Sequence, residues 1–74
     1  MTKRLEPDQR RLLVEFEKKL SEMIVLGFEV SALWGKMDEE AWEIVESEYP
    51  LDGDFVEKLN LLIDWRDYVE EKLK

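Results

Sequence analysis

Between Met37 and Glu57 the 74-residue chain carries Asp38, Glu39, Glu40, Glu43, Glu46, Glu48, Asp52, Asp54 and Glu57, with no Lys or Arg among them. Clustered carboxylates serve few chemistries: general acid–base pairs, cation ligation, or competition for the Lys and Arg groups of a partner. Glycoside chemistry needs its two acids in a cleft, which a chain this small rarely encloses. Asp52, Asp54 and Glu57 lie close together in "DGDFVE" but lack the spacing of a calcium-binding loop. Helical di-iron sites use Glu-x-x-His pairs, and the chain has no His. It has no Cys either, which excludes thiolate metal sites and disulfides. Ser21, Ser31 and Ser47 have no His to activate them, and Gly27, Gly35 and Gly53 are too scattered for a phosphate loop. The expectation is a non-enzyme with no metal and no cofactor.

The third use fits the spacing. On a helix, Glu39, Glu43 and Glu46 share one face with Glu40 beside them, and they recur every ~4.5–6 Å along the axis. That is comparable to the spacing of phosphates along a nucleic-acid strand. Such a row competes for backbone-binding Lys and Arg with a similar salt dependence. Together with Asp52, Asp54 and Glu57 it forms a candidate face for a basic partner. The competing reading is a solvated face that maintains solubility. Glu39 and Glu40 also suit a helix N-terminus. Against it, Glu39–Glu43 is a repulsive i,i+4 pair costing roughly 0.2–0.5 kcal/mol, and surfaces kept only for solubility mix their signs.

The net charge of −8 is unevenly distributed. Residues 1–36 hold seven basic and six acidic groups, for +1, and residues 37–74 hold four basic and thirteen acidic groups, for −9. That field repels nucleic acid and membrane surfaces and favours a protein with a basic surface, a nucleic-acid-binding protein being the natural class. The longest apolar run, Met23 to Leu26, is far short of a membrane span or a signal-peptide core, and "MTKRLEPDQRR" has basic residues without an apolar run behind them. The expected location is intracellular, in the cytoplasm.

The elements that must position these groups follow from apolar periodicity. Pro7 suits a first helical position, and Leu12, Leu13, Phe16, Leu20, Met23 and Ile24 recur at helical spacing. Gly27 is expected to end this helix with a left-handed cap. "GFEVSALWGKM" then reads as a connector whose Phe28, Leu33 and Trp34 plug the core, with a short helical turn near 31–35. Asp38 is a good N-cap for a second helix whose buried stripe is Met37, Ala41, Ile44, Val45 and Tyr49. Pro50 stops that helix at about Tyr49, and "PLDGD" turns at Gly53. Asp54 and Glu57 have capping-box spacing for a third helix with a core stripe of Phe55, Leu59, Leu62, Ile63, Val69 and Leu73. Glu48 and Arg66 fall inside apolar stripes of neighbouring helices, which predicts an ion pair between them.

Helix three also carries a second stripe, Leu61, Trp65 and Tyr68. Its two stripes together span more than the arc a three-helix bundle needs. Either Phe28 and Trp34 of the connector cover it, or it is an aromatic interface for a partner or for a second copy of the chain. The composition, 45% hydrophobic and 41% charged, is that of a folded helical domain. The fold expected over residues 1–74 is one all-α domain, a small three-helix bundle. The function expected is an acidic protein-binding module, an inhibitor that occupies a basic surface in the manner of a DNA mimic. The alternative is an assembly protein that forms a homodimer through helix three.

Overall fold

The computed structural model describes residues 5–74; the basic residues Lys3 and Arg4 of the N-terminal stretch lie outside them. The described chain is all-helical: α1 (Pro7–Gly35), α2 (Glu39–Ser47) and α3 (Phe55–Leu73). The three-helix, all-α expectation holds, and no strand occurs among the described residues.

Pro7 occupies the first turn of α1 as its fixed φ favours, and Glu6 supplies the extended residue before it. The helix does not stop at Gly27. It runs through that residue for two further turns, so the expected connector over 28–35 is the C-terminal part of α1 and the turn near 31–35 is its last turn. The reason is spatial. A Cβ placed on Gly27 would lie 2.5 Å from Leu59 Cδ2, so the absent side chain makes room for Leu59 rather than for a left-handed cap. A glycine inside a helix costs about 1 kcal/mol relative to alanine, and full burial of a leucine contributes roughly 1.5–3 kcal/mol. The packing wins.

The helix ends where Lys36 donates its N–H to the Leu33 carbonyl at 3.1 Å and Met37 donates to the Trp34 carbonyl at 3.2 Å. These shorter-range bonds satisfy carbonyls that a continuing helix would otherwise have used. Asp38 then caps α2 as expected, its Oδ1 accepting from the Ala41 N–H at 2.9 Å. Gly53 has φ 99°, a left-handed conformation that favours glycine, and so sets the turn into α3. Asp54 is the N-cap residue of α3, but its side chain makes no capping hydrogen bond, so the expected capping box does not form.

α1 and α3 pack antiparallel. Gly27 faces Leu59, Phe16 meets Trp65, and the Arg10 guanidinium donates to the Leu73 carbonyl at the far end of α3. α2 closes the other end, held by aromatic contacts to Trp34. The result is long and thin, 53 × 20 × 17 Å, with a radius of gyration of 16.6 Å. A compact chain of this length would have a radius of about 11 Å.

Burial is correspondingly sparse. Leu20, Ile24 and Leu59 are the buried hydrophobic residues, all on the α1–α3 seam. Leu12, Phe16 and Met23, expected in the core stripe of α1, are exposed. So are Met37 and, at 73%, Ile44 of the expected α2 stripe, while Ala41, Val45 and Tyr49 are half-buried. One helix packed along one side of α1 leaves nothing to cover the rest of a stripe that wide.

Candidate protein-binding face

α3 presents Leu61, Trp65 and Tyr68 on the side of its seam with α1, and all three are exposed, Trp65 at 49%. The connector does not cover them. Trp34 instead lies at the α2 end, with its ring 5.9 Å from Trp42, 5.5 Å from Tyr49 and 5.8 Å from Phe55. What meets Trp65 is Phe16, edge to face, at 5.4 Å and 72°.

That contact joins two stripes. On α1, Leu12, Leu26 and Leu33 recur at multiples of seven, as do Phe16, Met23 and Val30 four residues further on, and all are exposed. This is a seam of the coiled-coil kind, broken at one leucine position by Lys19. The side of α1 that carries Phe16 and Met23 therefore continues into the side of α3 that carries Trp65. Between them lies an open depression of about 290 Å³ lined by Phe16, Lys19, Leu20, Met23 and Trp65.

Acidic residues repeat along the outer sides of both helices. Asp8, Glu15, Glu22 and Glu29 repeat at sevens along α1, and Glu57, Asp64 and Glu71 repeat at sevens along α3; all are exposed. Glu15, Glu29, Asp64 and Glu71 each lie three residues after an exposed apolar residue (Leu12, Leu26, Leu61 and Tyr68). Three residues is a step of about 60° round the helix, here away from the other helix of the pair. Lys19, at the broken leucine position, is paired with Glu22 at 3.8 Å, and Lys72 lies over the Tyr68 ring at 5.3 Å. Arg11 and Lys18 are exposed on the same side of α1 as these acids, and Lys58 and Lys72 lie seven residues either side of Trp65.

Glu39, Glu40, Glu43 and Glu46 are all exposed on α2, as are Asp52 and Asp54 in the turn and Glu57 in the first turn of α3. Glu57 belongs to the outer α3 row. Glu46 and Asp54 line a cup of about 320 Å³ at the α2 end with Trp34, Trp42, Tyr49 and Phe55. There the Tyr49 hydroxyl donates to the Gly53 carbonyl at 2.9 Å. Desolvation, with the Asp54 charge adding to it, raises the Tyr49 pKa. No trio of carboxylates among the described residues is placed to hold a metal ion.

The expected Glu48–Arg66 pair is absent. Glu48 is exposed at the end of α2, and Arg66 pairs with its neighbour Asp67 at 3.1 Å. α2 caps the end of the α1–α3 pair instead of lying alongside α3, which leaves Glu48 no approach to mid-helix Arg66.

Of the two outcomes open for the α3 stripe the structure shows the uncovered one, and Leu12, Phe16 and Met23, expected in the core, are exposed as well. The seven-residue ladders on both helices were the signal for the wider face. No helix among the described residues is long and apolar enough to cross a membrane. In comparison with known proteins, the chain matches no family model, no curated protein and no solved structure.

Proposed function

We propose that the protein is a binding module whose working surface is the apolar face shared by α1 and α3, with Trp65 at its centre. The observation that carries this reading is the Phe16–Trp65 contact between two exposed apolar stripes. Monomeric proteins rarely leave contiguous apolar patches of this extent uncovered, and such patches mark interaction sites. Trp and Tyr are favoured anchors because they bury a large area with few rotatable bonds. The thin core makes the same point energetically: a chain with few buried side chains gains stability when a partner covers the rest.

The test is the triple variant Leu12→Gln, Met23→Gln, Leu61→Gln. Exposed positions tolerate substitution within about 0.5 kcal/mol each. The variant should keep its helical circular dichroism and its thermal midpoint while losing binding of an apolar surface dye. Cooperative unfolding of the variant would place these residues in a core and remove the proposed surface.

A further inference from the structure

We propose that the cup at the α2 end is a binding site for a methylated ammonium group, the trimethylammonium of a choline-type molecule or of a trimethylated lysine side chain. The site lies apart from the α1–α3 face, and the inference does not depend on the binding-module reading above.

Aromatic rings from four segments build the cup. Trp34 comes from the last turn of α1, Trp42 from α2, Tyr49 from just beyond α2 and Phe55 from the first turn of α3. The centroids of the other three rings lie 5.5–5.9 Å from that of Trp34, and their planes are inclined to it at 53–64°. A cluster that only fastened α2 would close to the density of a protein interior. This one instead leaves a space of about 320 Å³. Trp42 is 40% exposed and the other three residues are half-buried, so the rings keep surface free for a ligand. The volume falls at the small end of the roughly 300–1,000 Å³ of ligand pockets, which suits a compact group.

Charge sets the sign of that group. Glu46 and Asp54 are the charged residues of the lining, and neither forms an ion pair among the described residues. Asp54 is the N-cap residue of α3 yet makes no capping hydrogen bond, so its carboxylate is uncommitted. Lys58 approaches Gly53 but does not line the cup. Aromatic faces carry negative potential and attract a cation held within about 6 Å of the ring centroid. The two carboxylates add to that attraction and repel an anion. A primary ammonium needs acceptors for all of its N–H groups, which ring carbons do not offer. Methylation removes those donors and adds apolar surface that the rings can cover.

The experiment titrates the full chain with choline and with its uncharged isostere, in which a tert-butyl group replaces the trimethylammonium. A short peptide with one lysine, unmodified or trimethylated, forms the second arm. The indole N–H resonances of the three Trp residues report binding. Choline should bind at least about tenfold more tightly than the isostere, and the trimethylated peptide at least about fivefold more tightly than the unmodified one. A trimethylated peptide that outbinds choline by about tenfold or more assigns the group to a protein side chain; a smaller margin assigns it to the free molecule. Glu46→Gln, at an exposed position, should weaken choline about threefold, the share of one screened surface charge, and leave the isostere unchanged. Trp42→Leu should weaken choline at least about fivefold. Equal binding of choline and isostere, equal binding of the two peptides, or no saturable binding of either cation would each overturn the proposal. So would undiminished choline binding to Glu46→Gln or to a folded Trp42→Leu. If Trp42→Leu loses helical circular dichroism, the Glu46→Gln titrations decide alone.

Discussion

Gly27 and Leu59 meet on the seam of α1 and α3: a Cβ on Gly27 would stand 2.5 Å from Leu59 Cδ2, and Leu59 is 4% exposed. Two opposed effects therefore act on Gly27→Ala. Helix propensity favours alanine by about 1 kcal/mol, and overpacking costs typically 1–3 kcal/mol. Leu59 is buried on the seam, so the expected net result is a loss of about 1 kcal/mol in denaturant unfolding. Gly35 is the internal control, since a Cβ there meets nothing within 4 Å. Gly35→Ala is expected to stabilise by about 0.5 kcal/mol. A stabilising Gly27→Ala would show that the helices do not approach this closely.

Arg66 supplies a second test. Among the described residues it pairs only with its sequence neighbour Asp67, and its Nε is buried with no partner there. Arg66→Met keeps the stem that packs on the seam and removes an unsatisfied donor. The expected change is within about 1 kcal/mol and of either sign, far from the 3–5 kcal/mol of a broken buried pair. Glu48→Gln should add independently in a double-mutant cycle. A coupling above about 0.5 kcal/mol would restore the ion pair that the fold excludes.

Tyr49 gives the pH dependence. Its phenol is neutral when it donates to the Gly53 carbonyl, and its pKa is raised by desolvation and by Asp54. A raised value means the contribution is fully present below the ordinary phenol pKa of about 10 and is lost as pH rises through the folded value. Alkaline titration of stability should therefore show a decline that is shallower in Tyr49→Phe. Identical alkaline limbs for both proteins would remove Tyr49 from the turn's hydrogen bonding.

The α2 row tests the DNA-mimic reading separately from the α1–α3 face. Replacing Glu39, Glu43 and Glu46 by Gln relieves the Glu39–Glu43 repulsion, so stability should hold or rise by roughly 0.2–0.5 kcal/mol. If these acids stand in for phosphates, affinity for a nucleic-acid-binding partner falls and its salt dependence flattens. Unchanged affinity at low salt would leave the row as a solvated face.

The sequence by itself determined the helices, because each signal acts within a few residues: Pro7 at a first turn, Asp38 on the Ala41 N–H, Pro50 after α2, Gly53 at positive φ. It also picked out Leu61, Trp65 and Tyr68 as a second stripe on α3, but whether anything covers that stripe was settled only by the placement of Trp34 at the α2 end. What tertiary structure decided was the role of residues whose local signal has two solutions. Gly27 reads equally as a helix cap or as room for a neighbour, and only the position of Leu59 selects the second. Leu12, Phe16 and Met23 read as core because apolar periodicity records which face seeks cover, not which body supplies it. α3 covers the Leu20–Ile24 side and stops there, so the remaining stripe of α1 and the stripe of α3 form one open face meeting at Phe16 and Trp65.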